Sequence, residues 1–179
     1  LPFFRAVRAA VRAHVTATQI EEGSKQTVEL GASARSYFKL ASSLLETHSP
    51  NLVSIGGFSG SGKTTIAEAA APHIGAPPGA RIIESDRVRK AMFGVAADTR
   101  LAATAYQPEV SAEVYRHMFH RSLAILRSGG SIVVAAVFDR QESRAEIEEM
   151  TCASPAHFTG VWLDVDHGLL IQRISSRKG

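Results

Sequence analysis

The stretch that decides the fold is Leu52-Val53-Ser54-Ile55-Gly56-Gly57-Phe58-Ser59-Gly60-Ser61-Gly62-Lys63-Thr64-Thr65. Its first four residues are a short apolar run of strand length, and residues 64–71 continue with helical character. Between them Gly57 and Gly62 frame four residues and are followed at once by Lys63 and Thr64, the spacing of a phosphate-binding loop. The chemistry explains the residue types. Glycines let successive backbone N–H groups turn towards one point, and the start of the following helix adds its dipole, so an anion is favoured there. Lys63 would neutralise the β and γ phosphates of a nucleotide, and the Thr64 hydroxyl would join the oxygen shell of Mg²⁺, with Thr65 assisting. Gly57, Phe58, Ser59, Gly60, Ser61, Gly62, Lys63, Thr64 and Thr65 are therefore the candidate nucleotide-binding residues.

Residues 81–84 read as a second apolar strand, 86–93 as a short helix stopped by Gly94, and 108–127 as a long helix ended by Gly129-Gly130. Residues 132–138 are apolar throughout, as expected of a central parallel strand covered on both sides. Residues 142–150 read as a helix, 158–163 as a strand and 169–177 as a last helix. Strands alternating with helices predict an α/β fold with a doubly wound parallel sheet and right-handed crossovers, four strands being visible. Upstream, Phe3, Phe4, Val7, Ala10, Val11 and Val15 recur at helical spacing, and a second helix is expected over 27–45, with Gly23-Ser24 breaking the pair. The expected organisation is a helical hairpin over 1–49 and an α/β domain over 50–179.

Composition narrows the class. Hydrophobic residues make up 45% of the 179 and charged residues 21%, the balance of a globular chain and not of a disordered or collagenous one. The net charge of +3 is dispersed with no basic tract, so nucleic acid is not the expected partner. The one cysteine, Cys152, can make no internal disulfide and has no ligand cluster around it, which suits a reducing cytoplasm. The longest apolar run has strand length, far below the roughly 18 residues of a membrane span, so no membrane is expected. The chain opens on Leu1 and reads as a piece of a longer protein. His117 and His120 assemble no metal-ligand spacing, and Trp162 is expected in the core.

Asp86 follows the second strand, on the edge where parallel sheets bind ligands. Its carboxylate could accept the proton of an attacking hydroxyl or hold that hydroxyl in line. Equally, Ser85 or Asp86 could cap the short helix that follows. Arg87 and Arg89 share the neighbourhood, as acceptor contacts or as solvated cations.

These motifs together resemble the P-loop small-molecule kinases related to gluconate kinase, chloramphenicol phosphotransferase, zeta toxins and polynucleotide kinase. Beside the glycine-rich loop, the matching segments are Glu84-Ser85-Asp86-Arg87-Val88-Arg89-Lys90, Phe93-Gly94-Val95, Tyr106-Gln107-Pro108-Glu109-Val110 and Gly160-Val161-Trp162-Leu163. The resemblance implies a P-loop NTPase fold, ATP and Mg²⁺ as cofactors, and transfer of the γ-phosphoryl group to a hydroxyl of a small molecule. It makes Asp86 the general base and Arg89 an acceptor contact, and it makes Arg173 and Arg177 the arginines that open a mobile lid over the phosphates. Such domains are often fused behind an aminoglycoside-phosphotransferase-like domain, and residues 1–49 resemble the helical tail of one.

The chain also departs from that pattern. Where the family carries Asp-Ala-Val-Phe in the third strand, this sequence reads Ala135-Ala136-Val137-Phe138. A carboxylate that helps to hold Mg²⁺ is thereby missing, and Asp139 either replaces it or simply starts a turn. The rival reading is a nucleotide-binding regulatory module or weak ATPase without an acceptor of its own.

Overall fold

The computed structural model describes residues 2–21, 26–46 and 48–176, which form two compact units, Leu1–His48 and Ser49–Gly179. The Gly23-Ser24 break and Arg177 lie outside the described residues.

The first unit is a pair of helices, α1 (Pro2–Glu21) and α2 (Thr27–Leu45). The expected apolar face of α1 is not the one that is buried. Ala6, Ala9 and Ala13 are covered, together with Ala34, Ala41 and Leu44 of α2, whereas Phe3, Phe4, Val7, Val11 and Val15 are exposed. Small side chains at three- and four-residue spacing let two helix axes approach closely, so the seam selects alanine over the bulkier residues. Arg12 crosses the seam, donating to the Tyr37 hydroxyl at 3.2 Å while lying over its ring.

The second unit is built on four parallel strands, β1 (Asn51–Gly56), β2 (Arg81–Glu84), β3 (Ile132–Ala135) and β4 (His157–Trp162), in the order β2-β3-β1-β4. Around it run α3 (Lys63–Ala70), α4 (Ser85–Met92), α5 (Pro108–Arg127), α6 (Gln141–Glu149) and α7 (His167–Ser176). The period of two along each strand sorts the core into two layers. Leu52, Ile83, Ile132 and Val134 pack with Val88 of α4, with Val114, Met118, Phe119 and Leu126 of α5, and with Ile147 of α6. Ile55, Val133 and Ala135 face the other way and pack with Ala67 of α3 and with Ala71. Helices therefore cover both faces, and the expected doubly wound parallel α/β sheet with its N-terminal hairpin is the observed architecture.

Two local expectations need correction. β3 ends at Ala135 rather than residue 138; backbone bonds continue through Ala136 to Ile55 and Val137 to Gly57, and Phe138 then takes a φ of 52°, a left-handed conformation incompatible with extended pairing. Trp162 is not a core residue. It is 43% exposed, on a β4 whose outer residues are mostly uncovered, and it packs edge-on against Phe58 at 5.7 Å.

Candidate functional site

The carboxyl ends of β1, β2 and β3 lie in one row, in which Ile55 pairs with Ala135 and Ala135 pairs with Glu84. Chain segments leaving that row build the site. From β1 the glycine-rich loop passes directly into α3, whose first turn closes through Ile66 N–H donating to the Gly62 carbonyl at 3.1 Å. Gly57 has a φ of +145°, and a Cβ there would come within 2.8 Å of Ser61 Oγ and 3.0 Å of the Leu163 carbonyl, so no other residue fits that turn. Lys63 folds back over the loop and donates from Nζ to the Gly57 and Phe58 carbonyls at 2.7 and 2.8 Å. Ser61 Oγ is buried inside the loop without a hydrogen-bond partner, while Thr64 and Thr65 open α3 with exposed side chains. Arg173 of α7 donates to the Gly60 carbonyl at 3.3 Å, so this arginine, far away in sequence, stands at the phosphate loop.

After β2 the chain turns straight into α4. Asp86 lies in its first turn, exposed, with its carboxylate 2.9 Å from Lys90 Nζ. Arg89 is buried. It donates to the Ala105 carbonyl and to Ser111 Oγ, and its guanidinium stacks 4.8 Å from the Tyr106 ring centre. Arg87 bridges two carboxylates, meeting Glu84 through Nε and Glu68 of α3 at 3.3 Å.

The segment after β3 joins the loop to a cavity. The Gly57 N–H donates to the Val137 carbonyl at 3.1 Å, and Phe138, one residue on, donates its N–H to the Tyr115 hydroxyl at 3.1 Å. Arg144 clamps the same bend by donating to the Phe138 and Asp139 carbonyls. A cavity of about 580 Å³ opens there, with Ser85, Arg89, Tyr106, Tyr115, Asp139 and Arg140 among its lining residues. Burial pushes the Tyr115 phenol above its ordinary pKa, Asp139 adds to the rise, and the Phe138 N–H, Arg89 and Arg140 oppose it.

Of the residues singled out from sequence, the structure brings Lys63, the loop and Arg173 together and sets Arg89 and Asp139 on the cavity wall. Asp86 stands one residue from the lining Ser85, with Lys90 as its partner. Tyr106 opens one of the matching segments but had no assigned role, and Tyr115 and Arg140 were not singled out, since their convergence depends on how α5 and the bend after β3 meet.

The oxygen donors near the loop fit Mg²⁺ only in part. Among the described residues no group of three or more His, Cys, Asp or Glu gathers. Ala135 offers nothing and is 3% exposed among apolar neighbours. The Thr64 hydroxyl and the Oε1 of Glu84, which is buried with no hydrogen-bond partner, are oxygen ligands of the hard kind Mg²⁺ takes, and that ion needs few from protein.

A parallel sheet in this strand order, with a glycine-rich loop leading from β1 into α3, defines the P-loop kinase-like class. Residues 52–179 match the AAA domain family AAA_33, and the chain belongs to that family. Among curated proteins the chain is similar to the uncharacterized protein Rv2004c of Mycobacterium tuberculosis, 24% identical over 99% of this chain. It spans only 35% of that relative's length. Among solved structures, a candidate kinase from Chloroflexus aurantiacus has a TM-score of 0.61 at 20% identity, over 74% of this chain and 69% of the other. The APS kinase CysC of Mycobacterium tuberculosis, solved with AMPPNP and APS, scores 0.51 at 22% identity over 71% and 69%. The Pnkp1/Rnl/Hen1 RNA repair complex scores 0.53 at 19% identity over 74% and 39%. At these identities the likeness is one of fold.

Proposed function

We propose that residues 50–179 form an ATP- and Mg²⁺-dependent phosphotransferase domain that moves the γ-phosphoryl group to a hydroxyl of a small molecule. The observation that carries this reading is the continuity of the two halves of the site. The residues following β3 bond to the glycine-rich loop through Val137 and wall the 580 Å³ cavity through Asp139, so a nucleotide on the loop and an acceptor in the cavity would be neighbours.

In this reading the loop N–H groups and Lys63 hold the β and γ phosphates, Lys63 turning to them from its present carbonyl partners. The acceptor hydroxyl oxygen attacks the γ-phosphorus, the bond to the bridging oxygen breaks, and ADP leaves. The Asp86 carboxylate takes the hydroxyl proton, released from Lys90 as the acceptor enters. Arg89, already oriented by Ala105 and Ser111, and Arg140 present donors to the acceptor's polar groups. Arg173 and Arg177 stabilise the charge on the transferring group. Bound Mg²⁺, with Thr64 as a ligand, would supply neutralisation of phosphate charge. Residues 1–49 we read as the tail of a preceding phosphotransferase-like domain, supported by the greater length of the curated relative. The cytoplasm is the compartment this chemistry and the single cysteine suit.

The test is acceptor-dependent ADP release by the full-length protein on a broad panel of hydroxyl compounds, comparing wild type with Asp86→Ala. Stimulated turnover that the variant loses supports the reading. One observation favours a second reading, a regulatory module that binds ATP without an acceptor: the apolar Ala135 where an acid is expected. ATP binding with no stimulation by any compound would select it. Retention on single-stranded DNA at moderate salt would instead point to a nucleic-acid 5′ end as the acceptor.

A further inference from the structure

We propose that Glu84 is the carboxylate that replaces the one missing from β3, its unpartnered oxygen being turned to Mg²⁺ or to a water of its shell; the proposal rests on the phosphotransferase reading. Glu84 is the last residue of β2 and pairs in register with Ala135, the position of the missing acid. Residues paired across a parallel sheet share a face, and Ala135 packs against Ile55 and Ala67, so that row faces α3, the helix opened by Lys63 and Thr64. The glutamate stands one strand further from the loop than an acid at 135 would. Its extra methylene makes up part of that spacing of about 4.8 Å.

Burial and pairing give the second observation. Glu84 is 6% exposed, and its Oε1 is fully covered without a hydrogen-bond partner. Leaving a charged oxygen in that state is costly, and such groups are kept where an ion or a function compensates. Its Oε2 is held by Arg87 Nε, and Arg87 reaches Glu68 as well. Two carboxylates thus share one guanidinium, and of the three groups only Glu84 is buried. Glu68 follows Thr64 by four residues on α3, so both lie on one helix face, and Arg87 ties the Glu84 carboxylate to that face.

Mn²⁺ replaces Mg²⁺ as a paramagnetic probe, and its affinity for the complex of the full chain with ADP is measured by electron paramagnetic resonance. ADP affinity is measured separately in EDTA. Glu84→Gln should lower Mn²⁺ affinity about 10- to 100-fold while leaving metal-free ADP affinity unchanged. Wild-type Mn²⁺ affinity in that variant overturns the proposal and leaves the phosphotransferase reading standing. Failure of the wild type to bind ADP with or without metal overturns both. If the variant does not fold, Glu84→Asp keeps the charge and shortens the arm: weaker Mn²⁺ binding supports the assignment, and unchanged binding overturns it.

Discussion

The Tyr115 hydroxyl accepts the backbone N–H of Phe138 at 3.1 Å, and Phe138 is the one non-glycine residue with positive φ among those described. A side chain from the middle of α5 thereby pins the bend that ends β3 and carries the chain from the glycine-rich loop to the cavity wall. The two rings also meet edge-on at 5.6 Å, so the contact is apolar as well as hydrogen-bonded.

Tyr115→Phe keeps the ring contact and leaves the Phe138 N–H without its acceptor. An unsatisfied buried donor costs about 1–3 kcal/mol, and urea unfolding should show a loss in that range with an unchanged slope. A loss well below 1 kcal/mol would mean that water replaces the hydroxyl.

The same phenol makes a pH prediction. Its pKa is raised in the folded protein, chiefly by burial, so the folded state holds the proton more tightly than the unfolded chain. The stabilisation is fully present below about pH 10, the ordinary tyrosine value, and is lost as pH rises through the folded pKa. Absorbance titration should show a phenol ionising above the ordinary tyrosine range, and Tyr115→Phe should remove that step. The alkaline decline in stability should be shallower in the variant.

Gly56→Ala should move the indole of Trp162. A Cβ at Gly56 would lie 2.7 Å from its Cε3, and one ring must yield because the backbone on both sides is held in the sheet. With one tryptophan in the chain, the emission maximum and iodide quenching report the shift directly. An unchanged spectrum would show that the strand, not the ring, gives way.

Ala135→Asp places a carboxylate in an apolar layer beside Glu84. Without its cation it should destabilise by about 2 kcal/mol or more, through desolvation and like-charge repulsion. In a Glu84→Gln background the cost should be smaller, and the difference in a double-mutant cycle measures the coupling across the two strands. Additive costs would show that the two side chains do not sense one another.

Lys63→Ala removes a cation that donates to two loop carbonyls at a partly exposed site. Melting temperature should change by no more than a few degrees, while titration calorimetry should show ATP affinity reduced at least tenfold. Retained affinity would remove Lys63 from the proposed nucleotide site.

The strand, glycine-rich loop and helix at 52–71 were legible from sequence because their signals are local: residue spacing, glycine where a turn needs it, and apolar runs of strand length. The helices 27–45 and 108–127 coincide with α2 and α5 for the same reason, and so does the strand 81–84 with β2. The hairpin seam differs from the face that periodicity marks, because periodicity identifies an apolar face but not which of its residues a close helix crossing admits, and here alanine is admitted and phenylalanine is not.

By itself, then, the sequence determined the class of fold, the order of elements and the loop at residues 57–65, since each depends on backbone preferences of neighbouring residues. Only tertiary structure decided which distant side chains meet. Arg173 reaches Gly60 from 113 residues away, Tyr115 caps the Phe138 bend, and Arg87 ties Glu84 to Glu68. Those pairings follow from sheet register and helix packing, which one-dimensional spacing does not encode. The fate of the missing acid is of this kind: Ala135 is plain in the sequence, but a buried carboxylate with a free oxygen on the adjoining strand emerges only when β2 and β3 are placed side by side.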